Sequence, residues 1–205
     1  MYRLHYFPDT ASLVLRMVLR ELDLPHQDIL IDREAGALDS PAFRRVHPLG
    51  KIPAMEAPDG PMFETAAILL YLADKHGKLA PAPTAPDRAA FLKWFFFTSS
   101  NIHPVLMQIF YPERTAGPDC TAQTLHHARA QMQLLLTTLN DMLARENPEW
   151  FGAEPSLMGY YIGMLMHWLG GFGADHPLRV NAAEYPHIFK VLTMLEGQHA
   201  TQAIA

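Results

Sequence analysis

At the start of the chain, short apolar runs alternate with a longer segment whose apolar positions recur every three to four residues. Residues 3–7 have the length and composition of a strand, and Pro8 ends the run. Residues 11–21 carry an apolar stripe at helical spacing, and residues 28–31 form a second strand-like run. The pattern therefore predicts a strand, a crossover helix and a second strand parallel to the first.

The residues that follow predict a second helix and a β-hairpin. Ser40 stands immediately before a proline, which is a helix-start signature, and the helix must end before His47 because another proline follows it. Residues 54–57 and 62–63 are extended runs on either side of an Asp-Gly pair at 59–60, which is a strong hairpin signal. The hairpin adds antiparallel strands to the parallel pair.

A third helix is predicted directly after the hairpin. Thr65 stands at the position expected for its N-cap, an apolar run follows, and Gly77 stands at the position expected for its C-cap. The element order over residues 1–77 is therefore βαβαββα. This order predicts an α/β domain with a thioredoxin-like mixed sheet.

The rest of the chain has the pattern of a helical domain behind a proline-rich linker. Residues 80–87 contain the run APAPTAP, which separates a first domain at 1–79 from a second domain at 88–205. Helices are predicted at 87–111 with an interruption or kink near Pro104, at 121–145, from 155–156 onward, and at 185–196. The predicted fold class is α/β plus all-α, with a helical bundle in the second domain.

Composition and charge narrow the function classes. The chain has 205 residues, a net charge of −5 and no basic cluster, so nucleic acid is not an expected partner. Its 11 histidines form no metal-ligand motif, and Cys120 is the single cysteine, so neither a metal site nor a disulfide framework is expected. No apolar run approaches 18 residues, so no membrane association is expected, and the expected location is the cytoplasm.

The two ends of the hairpin unit suggest a ligand with an amino-acid-like end. An X-Pro step at Ile52-Pro53 opens the hairpin, and a cis bond there would turn the N–H and C=O of Ile52 outward toward an extended ligand. The helix that begins at Thr65 offers unpaired N–H groups that suit a carboxylate, and Glu64 beside it could hold an ammonium group.

The runs GKIPAM and FETAAILLYLA, at residues 50–55 and 63–73, resemble the glutathione-binding half of the cytosolic glutathione S-transferase family. The resemblance implies that glutathione is the co-substrate and that the protein is a homodimer. It implies that Ile52 and Pro53 pair with the cysteinyl backbone of glutathione. Glu64 and Thr65 would hold the γ-glutamyl end. Lys51 is a candidate for the glycine carboxylate, or else a solvated loop lysine.

The family stabilises the glutathione thiolate near the start of the first helix, where this chain reads YFPDTAS. Lowering a thiol pKa by about two units requires about 2.7 kcal/mol of preference for the anion. A hydroxyl donor supplies about 1.5–3 kcal/mol and a helix N-terminus about 0.3–1 kcal/mol, so no general base is needed.

Two hydroxyls at this point are candidates for that role. Ala11 falls where the beta class has its cysteine, which excludes a mixed disulfide between glutathione and that position. Thr10 and Ser12 resemble the hydroxyl pattern of the bacterial nu class, some of whose members reduce disulfides. The alternative is that either residue is simply the N-cap of the first helix.

His103 corresponds to the active-site histidine of the beta class when Trp94 is matched to that class's tryptophan. An imidazole there could stabilise a thiolate or donate a proton, and the alternative is a histidine hydrogen-bonded between the domains.

The leading expectation for the protein is glutathione transfer to a small, electrophilic, hydrophobic acceptor, a detoxification reaction. The alternatives are a glutathione-dependent disulfide reductase and a non-catalytic carrier of glutathione or apolar ligands.

Overall fold

The computed structural model describes residues 1–173, 176 and 178–202, which form two compact units. The first unit comprises Met1–Pro83 together with the segment that begins at Gly197, and the second is Thr84–Glu196. The division differs from the sequence-based boundaries at the C-terminal end, because the segment after Glu196 packs with the first unit.

A four-stranded mixed sheet forms the centre of the first unit. The strands are β1 (Tyr2–Tyr6), β2 (His26–Leu30), β3 (Ala54–Ala57) and β4 (Gly60–Phe63). Their order in the sheet is β2-β1-β3-β4. β1 and β2 are parallel, whereas β3 pairs antiparallel with both β1 and β4. The predicted crossover and hairpin are therefore both confirmed.

Helices cover the two faces of this sheet unequally. They are α1 (Ser12–Glu21), α2 (Pro41–Arg44) and α3 (Thr65–His76). α1 and α3 pack against each other, and each buries one apolar face, which comprises Val14, Leu15, Val18 and Leu19 in α1 and Ile68, Leu69 and Leu72 in α3. α2 has only four residues and places Phe43 against Ile31 and Ala54 on a smaller core of its own.

The described part of the second unit is helical. It contains α4 (Arg88–Phe97), a π-helical segment (Thr98–Ile102), α5 (His103–Phe110), α6 (Glu113–Ala116), α7 (Thr121–Glu146), α8 (Leu157–Gly170) and α9 (Pro186–Glu196). A last helix, α10 (His199–Gln202), packs on α1 of the first unit. Most of α8 is buried, which explains why its sequence is apolar all round. Within the described residues, no helix is both long enough and apolar enough to cross a membrane.

Local sequence signals predicted several element ends correctly. Ser40 caps α2 by accepting the N–H of Phe43 at 3.1 Å. Gly77 ends α3 with a left-handed backbone at φ 63°. The long helix predicted at 87–111 is interrupted near Pro104, one of the two predicted outcomes, and the interruption is a π-helical segment that ends at Ile102. Together the two units form a thioredoxin-like domain followed by a helical domain, as predicted.

Candidate functional site

Three loops of the first unit meet at one edge of the sheet. The register pairs His5 with Ala54 and Ala54 with Phe63. β1 and β4 both end at this edge, and β3, which runs in the opposite direction, begins there. The loop after β1, the loop before β3 and the start of α3 are therefore neighbours, and they carry seven of the eight predicted site residues.

Thr10 and Ser12 share one backbone acceptor in the loop after β1. The hydroxyl of Thr10 lies 2.7 Å from the carbonyl oxygen of Phe7, and the hydroxyl of Ser12 lies 3.1 Å from the same oxygen. The two hydroxyl oxygens are 2.7 Å apart. Ser12 is only 1% exposed, whereas Thr10 is half-buried. Thr10 is therefore the more accessible member of a coupled hydroxyl pair.

Neither Thr10 nor Ser12 is the N-cap residue of α1, so the alternative interpretation of the two as helix caps is wrong. Ala11 occupies the N-cap position, and no side chain caps the helix there. Ser12 is the first helical residue, and its N–H lies 3.4 Å from the hydroxyl oxygen of Thr10, a long contact. The two hydroxyls are turned toward the Phe7 carbonyl and toward each other rather than toward the N–H groups of the helix.

The loop before β3 offers free backbone groups. The Ile52-Pro53 peptide bond is cis. The N–H and C=O of Ile52 have no hydrogen-bond partner among the described residues. The Ile52 side chain packs on the small core beneath α2, which fixes the residue in place, and Lys51 beside it is exposed.

The start of α3 carries unpaired N–H groups next to a carboxylate. Glu64, not Thr65, occupies the N-cap position, with φ 69° and no side-chain cap, so the predicted capping role of Thr65 is wrong. Thr65 is the first residue of α3 and is 8% exposed. In the described residues, the N–H groups of Thr65, Ala66 and Ala67 have no partner, and the first backbone bond runs from Ile68 to Glu64. This end of the helix carries partial positive charge.

His47 is a structural part of this edge that the sequence analysis missed. It is 4% exposed, its Nδ1 accepts the N–H of Leu49 at 3.1 Å, and its ring lies 4.7 Å from that of Phe63. Burial lowers the pKa of His47, although the nearby Glu64 partly opposes the shift. The sequence signal for this contact is weak: His47 stands two residues before Leu49, a spacing at which a side-chain acceptor can close a turn.

His103, the eighth predicted site residue, lies in the second unit at the end of the π-helical segment. Its Nδ1 is 2.8 Å from the hydroxyl of Tyr161, and its ring lies 6.0 Å from that of Trp168. Burial lowers the pKa of His103 to about 4. His103 is therefore neutral at pH 7 and offers no positive charge to a thiolate.

Across the described residues, no group of three or more His, Cys, Asp or Glu side chains is placed to hold a metal ion.

The depressed pKa of His103 predicts acid destabilisation. The unfolded chain binds a proton near pH 6.5 and the folded chain only near pH 4, so stability falls as the pH falls through this window. Between pH 7 and pH 5 we expect His103 to account for a loss of about 2 kcal/mol. Urea unfolding at both pH values should show a smaller loss for His103→Gln, which retains an acceptor for Tyr161. An equal loss in both proteins would contradict the assignment.

Comparison with known proteins agrees with this architecture. Residues 1–74 match the family model of the glutathione S-transferase N-terminal domain. The disulfide-bond oxidoreductase YfcG of Escherichia coli is 31% identical over 92% of this chain and 86% of its own length. The glutathione S-transferase GST-4.5 of Xanthomonas campestris is 27% identical over 84% of this chain and 85% of its own. The chain belongs to the glutathione S-transferase family, as its sequence motifs indicated.

Solved structures show the same fold. A glutathione transferase from Burkholderia graminis, crystallised with two glutathione molecules per subunit, has a TM-score of 0.83 at 26% identity, over 99% of this chain and 86% of its own. A glutathione transferase from Methylococcus capsulatus has a TM-score of 0.79 at 27% identity, over 100% of this chain and 97% of its own. The fold of this chain is therefore one that the Burkholderia graminis protein, a glutathione-bound relative, also has.

Proposed function

We propose that this protein binds glutathione at the sheet edge of the first unit, stabilises its thiolate, and uses the thiolate to reduce disulfides. The observation that carries the proposal is the hydroxyl pair of Thr10 and Ser12 on the Phe7 carbonyl. One hydroxyl of the pair can rotate toward a ligand, while the other stays hydrogen-bonded to the Phe7 carbonyl.

The unpaired groups at the sheet edge match the polar groups of glutathione. In the proposed complex the backbone of Ile52, which has no partner among the described residues, pairs with the cysteinyl residue. The first N–H groups of α3 hold the γ-glutamyl carboxylate, as helix N-termini do for other anions. Glu64 takes the γ-glutamyl ammonium, beside Thr65, and Lys51 reaches the glycine carboxylate. Pro53 shapes the loop that presents Ile52.

The hydroxyl pair favours Thr10 as the donor to the thiolate. Each hydroxyl has a single proton, so Thr10 can donate either to Phe7 or to a bound sulfur, but not to both. When Thr10 turns to the sulfur, Ser12 remains 3.1 Å from the Phe7 carbonyl and keeps that acceptor satisfied. The rotation of Thr10 therefore leaves no buried acceptor without a partner. An unpaired buried acceptor would have been its main free-energy cost. The more exposed position of Thr10 supports the same choice.

The proposed reaction needs two glutathione molecules and no protein thiol. The thiolate of the first glutathione forms a bond to one sulfur of the substrate disulfide, and the other substrate sulfur leaves as a thiolate. A second glutathione then attacks the mixed disulfide, which yields oxidised glutathione and releases the second substrate thiol. Position 11 is alanine and the first unit contains no cysteine in its sequence, so the sheet edge itself supplies no thiol to the reaction. The name of YfcG and the two glutathiones bound by the Burkholderia graminis protein support this reaction.

Glutathione transfer to a small, electrophilic, hydrophobic acceptor is the second candidate, in line with a role in detoxification. It uses the same thiolate, and the similarity to a Xanthomonas protein named as a transferase favours it. A carrier without catalytic activity would bind glutathione through the same contacts and would show no turnover. The homodimer is proposed from the family resemblance, and the cytoplasmic location from the single cysteine of the sequence.

Calorimetry and two assays on the full chain test the proposal. We expect glutathione to bind, and the ultraviolet absorbance of the thiolate to report a pKa below that of about 8.5 for an ordinary thiol. Glutathione-dependent reduction of 2-hydroxyethyl disulfide should exceed conjugation of 1-chloro-2,4-dinitrobenzene. The reverse order would favour the transferase, and binding without a pKa shift or turnover would favour the carrier. Failure to bind glutathione would overturn the site.

A further inference from the structure

An exposed arginine lies beside the loop that carries the hydroxyl pair. The guanidinium carbon of Arg33 is 4.0 Å from the centre of the Phe7 ring, a distance at which a cation is attracted to the face of an aromatic ring. Phe7 is also the residue whose carbonyl oxygen accepts from Thr10 and Ser12. One residue of the loop after β1 therefore contacts both the proposed thiolate donor and a positive charge.

Backbone hydrogen bonds hold Arg33 at this place. The N–H of Ile31 donates to the carbonyl oxygen of Tyr6 at 2.9 Å, which extends the pairing of β1 and β2 to the point where both strands end. In the turn that follows, the N–H of Gly36 donates to the carbonyl oxygen of Arg33 at 3.2 Å. The backbone of Arg33 is thus fixed next to the end of β1 without the help of a ligand.

The guanidinium of Arg33 has no competing partner. Arg33 is exposed and, among the described residues, makes no ion pair and no side-chain hydrogen bond. Its neighbours Asp32 and Glu34 carry carboxylates, but neither pairs with it in the described part of the chain, and Asp32 accepts the N–H of Ala35 at 2.9 Å. Stacking on Phe7 occupies one face of the planar guanidinium and leaves the N–H groups at its edge for a ligand.

Arg16 of α1 illustrates the difference. Its guanidinium carbon lies 4.8 Å from the centre of the Tyr6 ring, but its Nε donates to a carboxylate oxygen of Asp28 at 2.9 Å. The charge of Arg16 is therefore neutralised within the first unit, whereas the charge of Arg33 can meet a partner from outside the chain.

We infer that Arg33 selects disulfide substrates that carry a carboxylate close to their sulfur atoms. The inference rests on the proposed disulfide reduction at the glutathione site. The glutathione thiolate forms a bond to one substrate sulfur, the S–S bond breaks, and the other sulfur leaves as a thiolate; a second glutathione then releases the remaining substrate thiol as oxidised glutathione forms. Arg33 binds the substrate carboxylate through two parallel N–H groups and holds the disulfide beside Thr10 during the attack.

The charge of the whole protein predicts the opposite preference. A net charge of −5 attracts cations and repels anions at long range. A preference for anionic disulfides therefore requires a local positive group at the reacting sulfur. Such a contact between exposed charges must also weaken with salt, because the Debye length falls from about 30 Å at 0.01 M to about 3 Å at 1 M ionic strength.

Three small disulfides that differ in the charge of their end groups test the inference on the full chain. They are 3,3′-dithiodipropionate, an anion, 2-hydroxyethyl disulfide, which is neutral, and cystamine, a cation. Each kcat/KM is divided by the rate constant for glutathione alone, which removes differences in intrinsic reactivity. At low salt we expect the anion to exceed the neutral disulfide about three- to tenfold and the cation to rank last. At about 1 M KCl the three values should converge.

Three variants assign the preference to one side chain. Arg33→Gln keeps a planar polar group without the charge and should lower the anion-to-neutral ratio about three- to tenfold. Arg33→Lys keeps the charge and should retain part of the preference, since it lacks the parallel N–H groups. Lys78→Gln is the matched control, because it removes an exposed positive charge beyond the far end of α3, which is about 18 Å long, and should leave all three values unchanged.

The outcomes separate this inference from the proposed function. Equal normalised rates for the three disulfides, a preference that survives in Arg33→Gln, or an equal fall in Lys78→Gln would overturn the role of Arg33 and leave disulfide reduction intact. Reduction of none of the three would overturn both. A preference that persists unchanged in about 1 M KCl would likewise exclude a charged contact, and this measurement on the unmodified chain is decisive even where Arg33→Gln does not fold.

Discussion

Thr10→Ala is expected to raise the thiol pKa of bound glutathione by about 1–2 units and to lower kcat/KM about 10- to 100-fold. The variant removes a hydrogen bond to a charged acceptor, which contributes about 1.5–3 kcal/mol, and one pKa unit corresponds to about 1.4 kcal/mol. Glutathione itself should still bind, because Ile52, Glu64 and the start of α3 are untouched. The thiolate absorbance as a function of pH and the steady-state rate of disulfide reduction measure the two effects.

Two control variants decide which hydroxyl acts on the sulfur. Thr10→Ser keeps a hydroxyl at the same place and should retain most of the activity. Ser12→Ala removes the hydroxyl that supports the Phe7 carbonyl, so we expect a smaller rise in the thiol pKa together with lower stability, since Ser12 is buried and bonded. A larger pKa rise in Ser12→Ala than in Thr10→Ala would assign the donor role to Ser12. An unchanged thiol pKa in both would exclude a hydroxyl donor.

The parts of the fold that could be predicted from sequence are those set by local chemistry. Ser40 before a proline, the Asp-Gly pair at 59–60 and Gly77 each specify a backbone conformation that depends on few distant contacts. The element order βαβαββα follows from these boundaries and from the apolar periodicity between them. The pairing of strands then follows from the connections, because a crossover helix requires a parallel pair.

The parts that could not be predicted depend on contacts and backbone angles that helix-end preferences do not describe. The N-cap residues of α1 and α3 each lie one residue from the candidates, because Thr10 and Ser12 bond to the carbonyl of Phe7, three and five residues earlier, and Glu64 has a positive φ of 69°. A cap preference describes only the helix end itself. The sequence likewise indicated an interruption near Pro104 but not that the interruption would be π-helical.

The same distinction between predictable and unpredictable features applies to the candidate site. The motif residues Ile52, Pro53, Glu64 and Thr65 could be placed on one edge from sequence, since strand pairing brings their loops together. The contacts that hold the edge in shape could not. His47, in the loop after α2, accepts a loop N–H and packs on Phe63 of β4. The geometry of Ile52 therefore depends on residues with no direct contact to a ligand.

Gly50→Ala is expected to produce the largest loss of stability among the variants considered. Gly50 has φ 60°, and a Cβ built there would lie 2.5 Å from the carbonyl oxygen of Leu38, a backbone atom that cannot move aside alone. The left-handed backbone costs about 1–2 kcal/mol with a side chain, and overpacking costs about 1–3 kcal/mol more. We expect the free energy of unfolding to fall by about 2–5 kcal/mol, as measured by urea unfolding.

Gly36→Ala is the matched control, because it separates backbone strain from the clash. Gly36 has nearly the same backbone angle, φ 68°, but no atom lies within 4 Å of its Cβ position, so only about 1–2 kcal/mol should be lost. Gly50→Ala should also weaken glutathione binding about tenfold or more, because it shifts Ile52 two residues on and disturbs two backbone hydrogen bonds to the ligand. Gly36→Ala should leave that affinity unchanged. Equal losses in the two variants would mean that the loop yields to the added methyl group, and that Leu38 does not fix the position from which Ile52 meets glutathione.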